Sequence, residues 1–184
     1  MKHVTHLPGV LSVDELQATG DHLASLQLDT GMIPWFPGGH CDPWNHVESA
    51  MALDVGGFHD EAERAYDWLV DTQRPDGSWH AYYHADGSVE DAKLDTNVCA
   101  YIATGVSHHL RFTWDRDFAE RMWPTVERAL EFVLGHRRDD GLPLWAVEPD
   151  ARPWEYALLT GTSSIQHSLR CGARLGERVG ELRP

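Results

Sequence analysis

The chain has 184 residues, 42% of them hydrophobic, which is enough for one domain with a buried core and argues against disorder. Its 29 acidic and 15 basic side chains give a formal net charge of -14, which opposes binding to nucleic acid or acidic membranes. The sequence shows no transmembrane stretch and no signal-peptide pattern at the N-terminus. We therefore expect a cytoplasmic protein, and the three scattered cysteines agree with a reducing compartment.

The first half of the chain predicts three helices. Helix one follows a capping box at Ser12 and Glu15 and ends near Gln27, and an aromatic loop spans residues 31–41. Asp42 stands where an N-cap belongs and precedes a proline, which predicts helix two from there to about residue 55. Asp60 with Glu63 predicts the cap of helix three, which ends at residue 73.

The second half predicts three more helices. After a long loop with a short hairpin over residues 74–93, helix four runs from about residue 95 to residue 111 and is apolar on nearly every side. Pro124 is the predicted start of helix five. An aromatic loop over residues 144–156 leads to helix six, roughly residues 163–179. No segment shows a convincing strand pattern.

One turn occurs three times. The clearest copy is Gln73-Arg-Pro-Asp-Gly-Ser-Trp79, and looser copies lie at residues 27–35 and 136–145. Each closes a helical pattern with a glycine, which provides the positive φ of a helix exit, and each is followed by a tryptophan. Repeats at such intervals indicate an architecture built from one unit, here a helix pair.

Six helices in three hairpins predict an all-α fold, an α/α-toroid arc in which alternate helices begin after long loops at one end. We call these loops, residues 27–42, 73–95 and 136–158, the rim. Three hairpins make half of a closed ring, so we expect residues 1–184 to form a single domain. It would be either the N-terminal half of a six-hairpin barrel or one half of a homodimer that closes the ring.

Carboxylates and tryptophans alternate along the rim. Aromatic faces with paired carboxylates suit the binding and cleavage of sugars, whereas aromatic π faces also stabilise the carbocations of isoprenoids. Capping and packing explain many of these residues equally well. The candidate substrate-binding residues are Trp35, Asp42, Trp44, Asp95, Trp145, Trp154 and Tyr156.

Two resemblances follow from these motifs. The turn Gln73-x-x-x-Gly77-x-Trp79 is similar to the QW motif of the terpenoid cyclase and protein prenyltransferase toroids, but their Asp-x-Asp-Asp and Asp-Asp-x-x-Asp motifs do not occur. A longer series resembles the glucoamylase-type six-hairpin glycosidases. It comprises Asp42, the 73–83 turn with Tyr82-Tyr83, Asp86-Gly87, Leu94-Asp95, the Trp114 to Phe118 and Trp123-Pro124 segments, Trp154-Glu155, and residues 160–169.

The glycosidase resemblance implies that Glu155 is a general acid, because it matches the glutamate of that family's Trp-Glu pair. Its aromatic neighbours would raise its pKa. An inverting glycosidase also needs a base roughly 6.5–9.5 Å away, which in this family comes from the second half of the ring. Cys41 replaces the arginine that usually precedes the family's rim aspartate.

A metal site at His40, Cys41, Asp42 and His46 is disfavoured because three of these residues are adjacent in the chain. We predict neither a metal nor a cofactor. An inverting glycoside hydrolase-like enzyme acting on a neutral saccharide is the leading hypothesis. The alternatives are a prenyltransferase-like or terpenoid cyclase-like protein, and a non-catalytic toroid that binds a sugar or a partner protein.

Overall fold

The computed structural model describes residues 7–180. Within that range the chain forms four short strands and seven helices. The helices are α1 (Val13–Leu26), α2 (Pro43–Gly56), α3 (His59–Thr72), α4 (Thr96–Ala100), α5 (Ile102–Thr113), α6 (Arg116–Gly135) and α7 (Leu159–Val179). The strands are β1 (Tyr82–Tyr83), β2 (Val89–Asp91), β3 (Leu94–Asp95) and β4 (Ala146–Val147). No helix in this range is long and apolar enough to cross a membrane.

The helices form three hairpins. Helix α2 packs against α1, α3 and α5, and α5 packs in turn against α6 and α7. The inner row is therefore α2, α4 with the following α5, and α7, while α1, α3 and α6 lie outside it. The buried apolar side chains of the hairpins form a continuous core cluster. This is the α/α-toroid arc of three hairpins that the sequence predicts, and the fold prediction is confirmed.

Most predicted helix starts agree with the structure. Ser12 and Glu15 form a complete capping box before α1, and the side chains of Asp42 and Asp95 cap α2 and α4. The predicted fourth helix is broken at Tyr101, whose N–H bonds to the carbonyl of Val98 in a 3₁₀-type turn between α4 and α5.

Two predicted starts are wrong. Asp60 and Glu63 do not cap α3, which begins at His59 without a side-chain cap. Phe58 precedes it with its ring so close to Gly20 that a Cβ there would lie 2.4 Å from the ring, so packing between α1 and α2 fixes this entry instead. Pro124 lies inside α6, which begins at Arg116 after the Asp115 cap.

Helix α6 tolerates its internal proline because its buried face continues on both sides of it. Phe118 and Met122 are buried before the proline, and Val126 and Val133 are buried after it. An interior proline costs a helix about 3 kcal/mol. Burial of one large apolar side chain contributes roughly 1.5–3 kcal/mol, so several such side chains outweigh the lost hydrogen bond.

The repeated glycine turn joins neighbouring outer helices. Gln73 Nε2 donates to the carbonyl of Gly77 at 3.1 Å and to that of Thr125 in α6 at 2.9 Å, while Arg128 donates to Gln73 Oε1. Gly77 has φ +88, and a Cβ at this position would lie 2.2 Å from the carbonyl oxygen of Arg128. The turn therefore requires glycine both for its conformation and for its contact with α6.

The earlier copy of the turn repeats this arrangement against α3. Gln27 Nε2 donates to the carbonyls of Gly31 and Glu61, and Arg64 donates to Gln27 Oε1. A Cβ at Gly31 would lie 2.2 Å from the carbonyl oxygen of Arg64. The third copy contains Gly141, and a Cβ there would meet nothing within 4 Å.

The strands all belong to the rim. Strands β1 and β2 form the short antiparallel hairpin expected before residue 93. Strands β3 and β4 also pair antiparallel, with Leu94 opposite Val147 and Asp95 opposite Ala146. This second pair is too short to produce an alternating pattern, so it leaves no signal in the sequence.

A buried carboxylate lies at the end of the bundle opposite the rim. Asp54 Oδ1 is 3.0 Å from His59 Nδ1 and 2.9 Å from His109 Nδ1, and Asp54 Oδ2 is 3.6 Å from His108 Nδ1. Burial raises the pKa of Asp54, but the three imidazoles outweigh that effect and lower it to about 2. Of the three histidines, His109 is fully buried.

Candidate active site

The backbone brings the rim loops together. Cys41 and Tyr83 exchange N–H to carbonyl bonds of 2.9 and 2.8 Å, which join the first loop to the second. The β3–β4 pair joins the second loop to the third, and the Trp154 N–H bonds to the carbonyl of Ala146 at 2.9 Å. The connections that carry the tryptophans and carboxylates therefore form a continuous rim.

Asp42 is the first predicted site residue, and its carboxylate is almost completely buried. The indole Nε1 of Trp35 donates to Asp42 Oδ2 at 2.8 Å. Asn45 donates from its backbone to Oδ1 and from its side chain to Oδ2. Trp35 itself stays half exposed, so one indole both orients this carboxylate and presents an aromatic face to solvent.

Asp95 repeats this arrangement on the next inner helix. Its carboxylate accepts the N–H groups of Asn97 and Val98. Burial raises its pKa, although these N–H groups, Lys93 and the Trp145 side chain all favour the ionised form. Both predicted aspartates are thus N-caps that are also contacted by a tryptophan from the rim.

The Trp145 ring belongs to an aromatic group that contains two more predicted residues. Its centroid lies 4.9 Å from that of Trp154 in an edge-on arrangement and 5.6 Å from that of Tyr156. Lys93 Nζ lies 4.8 Å from the Trp145 centroid, within cation–π distance. Trp154 Nε1 also donates to Glu148 Oε1 at 2.8 Å.

Tyr82 lies between the two tryptophan–aspartate pairs. Its ring centroid is 6.0 Å from that of Trp35 and 5.0 Å from that of His40. Burial raises the pKa of Tyr82, and the negative charges of Asp42, Asp91, Asp95 and Glu90 raise it further. Because both predicted aspartates act on one hydroxyl, they share a single electronegative stretch of the rim.

Sequence reasoning selected Trp44 but not Tyr101, the residue on which its ring stacks. The Trp44 and Tyr101 rings stack at 4.7 Å, and the Tyr101 hydroxyl donates to Glu48 Oε1. Glu48 follows Trp44 by four residues on α2, and this spacing indicates that both side chains lie on the same face of the helix. Trp35, Asn45 and Glu48 also line a groove of about 450 Å³ between α1 and α2.

Glu155 is exposed on the third rim loop. It borders a shallow pocket with Leu144 and the Arg138 to Asp140 turn, while its aromatic neighbours in the chain pack on Trp145. Within residues 7–180 no hydrogen bond or ion pair holds its carboxylate in place. The role of Glu155 as a general acid remains a prediction.

The four residues considered for a metal site do not converge. His40 Nδ1 pairs with Glu90 Oε2 at 2.9 Å. His46 accepts the Ile33 N–H at Nδ1 and donates from Nε2 to the carbonyl of Ala65, and burial lowers its pKa to about 4. Burial raises the pKa of the Cys41 thiol. The described residues contain no group of three or more potential ligands that could hold a metal ion.

All three cysteines are buried and free. Burial raises the pKa of the Cys99 thiol, which disfavours the reactive thiolate. A hydrogen bond of 3.4 Å from the Trp79 N–H reaches the Cys99 sulfur. This thiol therefore helps to hold the second glycine turn against α4.

Comparison with known proteins gives a clear relative. The chain is 49% identical over 181 residues to the protein named MMP endo-(1,4)-3-O-methyl-alpha-D-mannosidase of Mycolicibacterium hassiacum, and the match covers 98% of this chain and 50% of that protein. It is 29% identical over 126 residues to copalyl diphosphate synthase of Streptomyces anulatus, and this match covers 64% of this chain and 20% of that protein. The chain thus spans half or less of the length of these relatives. No protein-family model matches it.

Solved structures agree on the fold. The unsaturated glucuronyl hydrolase of Bacillus sp. GL1 aligns with a TM-score of 0.64 and 18% identity, over 91% of this chain and 53% of that one. The cellobiose 2-epimerase of Bacillus thermoamylovorans aligns with a TM-score of 0.55 and 16% identity, over 88% and 55%. The motif-based resemblance is therefore confirmed: the chain has the α/α-toroid fold of the six-hairpin glycosidases, and in sequence it is glycoside hydrolase-like.

Proposed function

We propose that the chain is part of an inverting glycoside hydrolase that acts on a neutral saccharide. The name of its Mycolicibacterium hassiacum relative suggests an α-1,4-linked 3-O-methylmannoside as the substrate class. Glu155 is the proposed general acid. The proposed sugar-binding residues are Trp35, Asp42, Trp44, Asp95, Trp145, Trp154 and Tyr156.

The observation that carries this proposal is the paired arrangement on the rim. Asp42 caps α2 and accepts the indole N–H of Trp35 at 2.8 Å, and Asp95 caps α4, where the Trp145 side chain favours its ionised form. Carboxylate oxygens accept hydrogen bonds from sugar hydroxyls, and aromatic rings cover the apolar faces of the sugar. Two such pairs on neighbouring inner helices suit consecutive sugar units of one chain.

The charge of the rim supports a neutral ligand. The two capping aspartates, together with Glu90 and Asp91, raise the pKa of Tyr82 through their negative charge. Lys93 is a cation near Asp91 and Asp95. A carboxylated or sulfated sugar would be repelled by this stretch, whereas a neutral sugar would not. An O-methyl group would also suit the exposed indole face of Trp35.

Hydrolysis with inversion requires two carboxyl groups on opposite faces of the scissile bond. The acid, proposed as Glu155, protonates the leaving oxygen as the C–O bond breaks, while the base removes a proton from the attacking water. The base would stand on the remainder of a closed ring. That remainder is either further sequence, as the length of the relative suggests, or a second copy of this chain.

The isoprenoid alternative has one specific observation in its favour. The match to copalyl diphosphate synthase covers 64% of the chain, in agreement with the QW-like turns. The glutamines of those turns, however, bond to the outer helices, which gives the motif a structural role that does not depend on an isoprenoid ligand. We therefore place this function, and a non-catalytic toroid, behind the glycosidase.

The test compares wild type, Glu155→Gln and Glu127→Gln, each in the closed ring that contains the base, with α-1,4-linked 3-O-methylmanno-oligosaccharides as the substrate. Glu127 is an exposed acid on the outer helix α6 and serves as the matched control. The proposal expects saccharide binding by all three proteins in calorimetry and loss of at least 99% of hydrolysis in Glu155→Gln alone, since proton transfer contributes about 10²–10⁴-fold. Equal hydrolysis by both variants would remove Glu155 from the mechanism. Binding of geranylgeranyl diphosphate instead of saccharide would favour the isoprenoid function.

A further inference from the structure

A second cleft lies among the inner helices, away from the rim. It has a volume of about 510 Å³ and runs between α5 and α7, with Met51 of α2 at one edge. It shares no lining residue with the rim groups. Arg174 and Arg178 lie 15 and 19 residues after the first residue of α7, which places them roughly 22 and 28 Å along the helix from its rim end.

The lining of this cleft is basic although the chain carries a net charge of -14. Arg111 comes from α5 and Arg174 and Arg178 from α7, and His108 and His167 are also among the lining residues. None of the lining residues is an aspartate or glutamate. The cleft therefore concentrates positive charge on an otherwise acidic protein.

These arginines have no carboxylate partner in the part of the chain that the structure describes. Among the twelve arginines in that range, six form ion pairs, namely Arg64, Arg74, Arg116, Arg121, Arg138 and Arg152. Two more, Arg128 and Arg137, donate hydrogen bonds to neutral acceptors. Of the remaining four, three line this cleft and the fourth, Arg170, is exposed elsewhere on α7.

Unpaired guanidinium groups that face one cavity are arranged for an oxyanion. Each guanidinium presents a planar set of donors that matches the oxygens of phosphate, sulfate or carboxylate, and such bonds are charge-assisted. Ser107 and Thr104 add hydroxyl groups to the same lining. Without an anion, the three like charges in one cleft repel each other.

We propose that this cleft is an oxyanion-binding site for a phosphate, sulfate or carboxylate group on a small molecule. The site is separate from the neutral-sugar rim and does not depend on the proposed hydrolysis. The ligand is either a free anion or the anionic group of a sugar derivative. The shared chemistry is an anion clamped between Arg111 on α5 and the arginine pair on α7.

The experiment measures binding of inorganic phosphate, glucose 6-phosphate and glucuronate to the whole chain by isothermal titration calorimetry at constant ionic strength. The proposal expects saturable binding of at least one of these probes. Arg111→Gln and Arg174→Gln should each weaken it about tenfold or more, because each removes a hydrogen bond to a charged group. Arg170→Gln, on the same helix but outside the cleft, should bind as wild type does.

The probes separate the two sources of the anion. Tighter binding of glucose 6-phosphate or glucuronate than of inorganic phosphate identifies a sugar derivative, and equal binding identifies a free anion; both support the site. No binding of any probe, or equal weakening by Arg170→Gln, would overturn it. Self-association that disappears in Arg174→Gln without any anion binding would also overturn it, because protein carboxylates would then occupy the cleft.

Discussion

Replacing Gly77 with alanine tests whether the repeated turn holds the toroid together. The alanine Cβ would lie 2.2 Å from the carbonyl oxygen of Arg128 and 2.6 Å from its carbon, in a residue with φ +88. The left-handed conformation costs a residue with a side chain about 1–2 kcal/mol. A clash with backbone cannot be relieved by a rotamer change, so α6 must shift, and such overpacking costs about 1–3 kcal/mol.

The two costs predict a loss of about 2–5 kcal/mol in the free energy of unfolding of Gly77→Ala. Gly141→Ala is the matched control, because Gly141 has φ +84 in the same kind of turn but open space where the Cβ would go. This control should lose about 1–2 kcal/mol. Urea unfolding followed by circular dichroism measures both. Equal destabilisation of the two variants would show that the contact with Arg128 contributes nothing.

Two further substitutions test the polar groups. Asp54→Asn should be less stable than wild type at pH 7, because the pKa of Asp54 is lowered to about 2 in the fold. The free energy of unfolding of the wild type should fall by about 2 kcal/mol as the pH falls from about 4 to 2. Urea unfolding at several pH values should show no such fall in Asp54→Asn. An equal fall in both proteins would contradict the lowered pKa of Asp54. Trp35→Phe removes the indole bond to Asp42 and should weaken saccharide binding in calorimetry about tenfold or more. The control Trp114→Phe, at the exposed end of α5, should bind as wild type does. Equal affinities of the two variants would contradict a role for the Trp35–Asp42 pair.

The helix pairs were predictable because local signals and packing agree. The capping box at Ser12 and the Asp42 cap before Pro43 determine their helix starts by short-range hydrogen bonds alone. Pro124 shows the limit of such signals. The apolar face of α6 continues through the proline, and its burial against neighbouring helices overrides a local preference.

The residue types that line the rim were predictable from the sequence, but their pairings were not. The tryptophans and aspartates of the rim were recognisable from the alternation of the two residue types, but no local rule links Trp145 to Asp95, which is 50 residues earlier. That contact depends on the β3–β4 pair, whose two-residue strands leave no pattern in the sequence. The helix predicted around Tyr101 is apolar on nearly every side, and this pattern favours a core position for Tyr101. Its bond to Glu48 is visible only in the three-dimensional structure.

The central claim is that the tryptophan-bearing rim binds a saccharide. The most direct test is a ¹H–¹⁵N NMR titration that follows the eight indole N–H signals as an α-1,4-linked 3-O-methylmanno-oligosaccharide is added. The structure predicts concentration-dependent shifts of the Trp35, Trp145 and Trp154 signals, with that of Trp114 unchanged. Unchanged rim signals at saturating saccharide, or shifts confined to Trp114, would contradict the claim.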